Sequence, residues 1–282
     1  NPKLIVTSNC SAIFVVNIGN TTDTRYFLEE GKPTEIRLSP ISSFNTQVTI
    51  NNISQINNIE GLGGMRFQRF MSSMKLPSFS KLDLSSVDTL SDSPIPFETI
   101  FVNDKDFSDV RHIDLSNTKF WSGNAGQGTF TVNIEKYTKL KDLNISSSVV
   151  TSVSLPNASL SALNITNSTV EGISLVNQPF LESLDFSGCR RLKTVTVDSC
   201  DKITELNLSN LGDLHTVKIT SCPNLKSIMC TNNVNLTTFN VSNCNNVETI
   251  NISSCTNRNL IVYIVGAPNI KALNMSNTNT AN

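Results

Sequence analysis

Residues 181–230 read LESLDFSGCRRLKTVTVDSCDKITELNLSNLGDLHTVKITSCPNLKSIMC, and this stretch decides the fold. Apolar residues stand at the first, fourth and sixth places of successive eleven-residue units opening at Leu181, Leu192, Ile203, Leu214 and Leu225. The fourth and sixth places are two residues apart, which is the period of a strand, and a unit this short cannot hold a pair of helices. Working outward, the pattern runs back through Val170, Leu160, Val150 and Leu140 and forward to Val247, after which Leu260 and Ile270 open two last units.

The units alternate between two texts. Those at Leu140, Leu160, Leu181, Ile203, Leu225, Val247 and Ile270 read LKDLNIS, LSALNIT, LESLDFS, ITELNLS, LKSIMCT, VETINIS and IKALNMS. The intervening units, such as LKTVTVD and LHTVKIT, keep the apolar places without the Asx–apolar–Ser/Thr ending. The structural period is therefore 20 to 22 residues, with two strand-like segments per coil. FSKLDLS at Phe79 and VRHIDLS at Val110 match the first text as well.

This text resembles the leucine-rich-repeat family, whose signature reads LxxLxLxxN. The likeness spans residues 79–282, most fully 140–282, and is nearest to the short-period, β-rich repeats of bacterial surface proteins. It implies a mainly β chain, a leucine-rich-repeat-type right-handed β-solenoid with strands on both sides of each coil. One departure stands out: the family's ninth-place Asn is retained only as Asn233, and Thr118, Ser148, Ser168, Cys189, Leu211 and Cys255 are among its replacements. An asparagine ladder at that place is accordingly expected to be largely missing.

In the first-text strands the fourth and sixth places point inward, as with Leu184 and Phe186 or Leu206 and Leu208. Coils stacked ~4.8 Å apart bury such files as one apolar column, so Leu184, Leu206 and Ile250 are expected in line. The cysteines fit this scheme. There are seven, an odd number that rules out a complete disulfide framework. Cys189, Cys200, Cys222, Cys244 and Cys255 fall at ninth places and Cys230 at an inward one; no C-x-x-C pair occurs. Buried free thiols are expected, and no metal site.

Residues 1–60 lack the repeat and are read as an N-terminal β module, with strands at Leu4–Thr7, Ala12–Ile18, Thr34–Leu38 and Gln47–Ile50. Residues 61–78 form a cap helix and linker in this reading, because Met65, Phe67, Phe70, Met71 and Met74 sit near helical spacing and Pro77 ends the run. The solenoid then occupies 79–282, irregular over 79–139 and regular over 140–282. The segments 88–109 and 118–139 exceed one coil and are expected to hold an irregular strand, such as Phe97–Val102 or Phe130–Ile134, with a protruding loop. Trp121, the single tryptophan, lies beside the Gly-rich run Gly123 to Gly128 and is a candidate contact residue or a residue folded back on the core.

Composition narrows the function. Charged residues are 16% of the chain and the net charge is −1, which lacks the basic excess a nucleic-acid binder needs. No apolar run approaches the ~18 residues that span a bilayer, so no membrane insertion is expected. His112 and His215 are far apart in sequence; Asp104, Asp106 and Asp109 lack the glycine and terminal glutamate of a calcium loop; and no phosphate loop or nucleophile elbow appears. No catalytic residue, metal or cofactor is expected.

The stronger lead is the outward column of the first-text strands, which includes Asn144, Asn164, Asp185, Asn207 and Asn251, with Ser or Thr two residues on. Such a file can hydrogen-bond a glycan or a polar protein edge. Equally, stacked Asx side chains can bond one another while Ser/Thr close the turn. The expectation is a binding or adhesion module for a protein or glycan, extracellular, on a cell surface or on a virion. The alternative is a structural spacer that assembles through its C-terminal coil or N-terminal module.

Overall fold

The computed structural model describes residues 3–8, 11–18, 24–37, 47–51, 56–60, 66–67, 69–70, 81–83, 88–89, 95–96, 110–118, 120–121, 131–157 and 159–279. Every regular element among them is a strand. The chain divides into two compact units, Asn1–Val150 and Thr151–Asn282.

The first unit opens with two antiparallel sheets. Lys3–Ser8 lies between Thr34–Arg37 and Ile56–Glu60, and Ala12–Ile18 between Thr24–Leu28 and Gln47–Asn51. The four strands expected from sequence are present; Thr24–Leu28 and Ile56–Glu60 are additional. Val6, Leu28 and Ile36 are fully buried.

The cap helix expected over 61–78 is not what the described residues of that segment form. Arg66–Phe67 pairs in parallel with Asp88–Thr89, and Arg69–Phe70 with Gln47 and Val48. Phenylalanine favours a pleated surface, and an edge strand was available to each pair, so sheet pairing overrides an apolar spacing that also fits a helix. Further on, Lys81–Asp83, His112–Asp114 and Asp142–Asn144 stack in parallel register, His112 opposite both Lys81 and Asp142. The expected irregular strand near 130 is Thr131–Asn133. Residues 97–102 lie outside the described residues.

The second unit is a parallel β-solenoid in which two sheets hold every described strand except Ala162–Asn164. One holds the longer strands Gly172–Val176, Thr194–Asp198, Thr216–Thr220, Thr238–Ser242 and Ile261–Val265, with Ser152–Ser154 before them. The other holds Glu205–Asn207, Ser227–Met229, Thr249–Asn251 and Ala272–Asn274. Thr194 faces Thr216, which faces Thr238, a constant step of 22 residues. The last step is longer by one, because Thr238 faces Ile261.

The interior follows from the apolar places. Val195, Val217 and Phe239 occupy one line of the long-strand sheet, and Leu206, Ile228 and Ile250 one line of the short-strand sheet, all buried. Leu184 departs from the expected line. It is half-buried, and residues 182–186 form no strand, although Phe186 is buried. The coil length changes here: Ser152 faces Gly172, 20 residues on, whereas Gly172 faces Thr194, 22 residues on. One added residue falls on the turn before Leu184 and one on the turn after it, and the coil of Leu184 is joined to the one before at the corner, Asn167 N–H to Ser187 O at 2.8 Å, with no strand over 182–186.

Corners are made by the eighth residue of most units and by the seventh, Gly266, in the unit that opens at Leu260. Asn167, Asn177, Ser199, Asn210, Ser221, Asn232, Asn243, Ser254 and Asn277 all have φ between 52° and 61°, and Gly188 has +74°. Asn and Ser tolerate this left-handed conformation better than bulkier residues. The N–H groups of Asn167, Asn177, Ser199, Asn210, Ser221, Asn232, Asn243 and Ser254 then reach the next coil, as with Asn210 to Thr231 O (2.9 Å) and Ser221 to Ser242 O (3.0 Å). At Gly188 a Cβ would come within 2.0 Å of Asn167 Oδ1 and 3.2 Å of its Cα. Gly188→Ala is expected to lose about 1–2 kcal/mol of unfolding free energy in urea titration, from the disfavoured φ together with the displaced Asn167.

Candidate functional site

Of the outward residues singled out from the sequence, Asn144, Asn164, Asn207 and Asn251 each end a strand, Asp185 lies in a segment without one, and the fold uses all five. The Oδ1 atoms of Asn144, Asn164, Asp185, Asn207 and Asn251 accept the N–H two residues on, at 3.1, 3.2, 2.8, 3.1 and 3.0 Å. Asn144 and Asn164 also accept the hydroxyls of Ser146 (2.7 Å) and Thr166 (2.9 Å). Ser187 does the same for Asp185, and its hydroxyl and backbone hydrogen bonds hold that carboxyl below its ordinary range. At each of the five the Asx oxygen itself closes the turn, the task that the sequence reading gave to Ser/Thr. Between Asn207 and Asn251 the file is broken by Met229, 43% exposed.

Trp121 belongs to a strand, Phe120–Trp121, paired in parallel with Ile95–Pro96, and not to a loop. Its β-propensity and the neighbouring strand account for this. Its side chain, the glycine run 123–128 and Asp104, Asp106 and Asp109 lie outside the described residues. His112 Nδ1 contacts the Asp142 carboxylate, whereas His215 Nδ1 meets the Asp213 carbonyl at 2.5 Å. Among the described residues no group of three or more His, Cys, Asp or Glu side chains is placed to hold a metal ion.

The ninth-place thiols have a structural task that the sequence reading missed. The sulfhydryls of Cys189 and Cys255 donate to the carbonyls of Ile165 and Cys230, each at 3.0 Å, and Cys200 to that of Leu175 at 3.7 Å. Every acceptor is the sixth residue of the matching unit one coil earlier. Asn233, the one retained ninth-place asparagine, donates to the equivalent carbonyl of Leu208 at 2.8 Å. The thiols thus stand in for the amide as weaker donors. All six described cysteines are free and buried. Burial pushes the Cys189, Cys200, Cys230 and Cys255 thiols up, and Cys222 is raised by its hydrogen bond with Cys244 and by burial. These six should react with Ellman's reagent only on unfolding; rapid modification of more than one thiol in the native protein would contradict their placement.

Two surfaces of the second unit carry repeated polar groups. On the outer face of the long-strand sheet, Thr194, Thr216 and Thr238 form one row, Thr196, Lys218 and Asn240 a second, and Asp198, Thr220 and Ser242 a third. These rows end on Ile261, Tyr263 and Val265, which are 49%, 54% and 62% exposed.

The second surface is the turn edge. There the Nδ2 of Asn224, Asn246 and Asn269 donates to the carbonyls of Asp201 (2.7 Å), Pro223 (2.7 Å) and Asn245 (2.8 Å) on the preceding coil. Asn235 and Asn257 do likewise to Gly212 (2.7 Å) and Asn235 (3.2 Å) on the alternate turns. An asparagine ladder therefore exists, displaced from the ninth place towards the end of the unit. Asn recurring at 224, 235, 246 and 257 was the signal that could have found it.

No protein-family model, curated protein or solved structure matches the chain.

Proposed function

We propose that this chain is a non-catalytic binding module of the leucine-rich-repeat type, displayed on a cell surface or virion, which offers its solenoid surface to a protein or glycan partner. The observation that carries this reading is the in-register repetition of Thr, Asn, Lys and Ser side chains on the outer long-strand face, from Thr194 to Ser242. Parallel strands hold these groups at one strand step, ~4.8 Å, so an extended partner meets the same chemistry coil after coil. Binding of this kind draws on many modest polar contacts made to a rigid scaffold.

The test is a binding screen of the full chain against immobilised glycans and surface proteins. Saturable binding to a member of either class, with the partner recovered chemically unchanged, is the expected result. Turnover of the partner, or absence of saturable binding to both classes, would sink the reading.

A second reading, a spacer that assembles through its ends, is favoured by one feature. The final long strand turns Ile261, Tyr263 and Val265 outward, where earlier strands carry Thr, Lys, Asn and Ser. Under this reading the chain self-associates with rising concentration in sedimentation, and I261T/V265T abolishes the association.

A further inference from the structure

The turn edge that follows the long strands carries an aromatic and an amide column in a single register. Gly172, Thr194, Thr216, Thr238 and Ile261 face one another along the sheet. Eight residues after each of them come Phe180, Lys202, Asn224, Asn246 and Asn269. Phe180 is 47% exposed, and the three asparagines are exposed as well.

The orientation of these amides is fixed by chemistry. A backbone carbonyl can only accept, so the amide end that meets Asp201 O, Pro223 O and Asn245 O must be the NH2. The Oδ1 of each is then an acceptor that has no hydrogen-bond partner among the described residues. Three such oxygens recur at one coil per step, ~4.8 Å, with little rotamer freedom left to lose on binding. Lys202, between the aromatic and the amides, is ion-paired with Glu182 at 2.9 Å, so the column presents no unpaired charge.

We infer that the column Phe180–Lys202–Asn224–Asn246–Asn269 is a binding edge for an uncharged glycan chain. This rests on the binding-module reading and names both the ligand class and the surface. Sugar hydroxyls are rotatable donors that can adapt to a row of fixed acceptors, while an apolar sugar face can cover the Phe180 ring. An extended peptide fits less well, because its donors and acceptors alternate at fixed directions, whereas rotatable sugar hydroxyls can both donate to the Oδ1 atoms and accept the second N–H of each amide. The amides fix orientation and the aromatic supplies contact area.

The experiment uses the full chain on an array of neutral oligosaccharides of β-1,4-glucan, β-1,3-glucan, chitin and mannan. Wild type is expected to bind one series. F180A and N224A/N246A are each expected to weaken that binding about tenfold or more, as loss of a central contact does, whereas T204A/E205A on the short-strand side keeps it. Phe180 is exposed enough for F180A to fold, and thermal melting of each variant confirms this. Binding that survives both F180A and N224A/N246A overturns the edge while leaving the binding-module reading intact. Failure of wild type to bind any of the four series overturns the inference too, and the module reading then stands or falls on the protein arm of the screen.

Discussion

Phe239→Ala is expected to lower the unfolding free energy by about 3–5 kcal/mol, the range for emptying a large buried aromatic site. Phe239 is fully buried in the strand Thr238–Ser242, in line with Val217 on one side and Val262 on the other. Its neighbours in that line are both valines, too small to fill the space, so the site cannot collapse cheaply. Urea denaturation followed by far-UV circular dichroism measures the loss. Lys218→Ala, an outward residue one strand away, serves as the comparison and should change stability by no more than about 0.5 kcal/mol. A Phe239→Ala cost below about 1 kcal/mol would mean that the apolar line is not the interior of the coil. Stacked coils touch only their neighbours, so the transition is also expected to broaden.

Asn233→Leu should cost about 2–4 kcal/mol, because it strands two buried backbone groups at once. Asn233 accepts from Leu211 N–H at 2.8 Å, donates to the Leu208 carbonyl at 2.8 Å and contacts Cys230 Sγ at 3.0 Å, with no exposed surface of its own. Asn233→Cys should cost roughly half as much, since a thiol at this place makes the carbonyl contact in neighbouring coils. What it cannot do is accept the Leu211 N–H as an amide oxygen does. The pair of variants therefore separates donor from acceptor, and equal losses for Leu and Cys would remove the equivalence drawn between thiol and amide.

Much of the second unit was legible because two periods coincide in it. Leu192, Val195 and Val197 set the strand by alternation, and the same places reappear 22 residues later as Leu214, Val217 and Ile219, so both the strand and its stacking partner could be read together. Leu184 was misplaced for the complementary reason: its unit follows a change in coil length, and apolar spacing within a unit does not report whether the unit above has the same perimeter. The segment from Arg66 to Phe70 failed through ambiguity of period, since its apolar residues satisfy a helix while the decisive partners, Gln47 and Asp88, are remote in sequence.

The candidate site was legible in position and less so in role. Asn144, Asn164, Asn207 and Asn251 recur at strand ends and Asp185 at the same place of a unit without a strand, but which end of a polar side chain the backbone consumes depends on the turn geometry. That geometry is set by the left-handed residues three places on, such as Asn167 and Asn210. The asparagines at 224, 246 and 269 escaped notice because they sit between the apolar places that drew the reading.

The corner residues have a consequence for how such a chain changes over generations. Each coil closes on its own left-handed residue and bonds only to the coil beside it, so deleting residues 203–224 would leave every joint with a ready substitute. Thr194–Asp198 would meet Thr238–Ser242, the Cys244 sulfhydryl would fall where that of Cys222 reaches the Val197 carbonyl at 3.9 Å, and Asn246 would take over the Asp201 carbonyl from Asn224. Gene duplication or loss in whole coils then adjusts reach and valency with every joint kept, and natural variants of this chain should differ in length mainly by multiples of one turn.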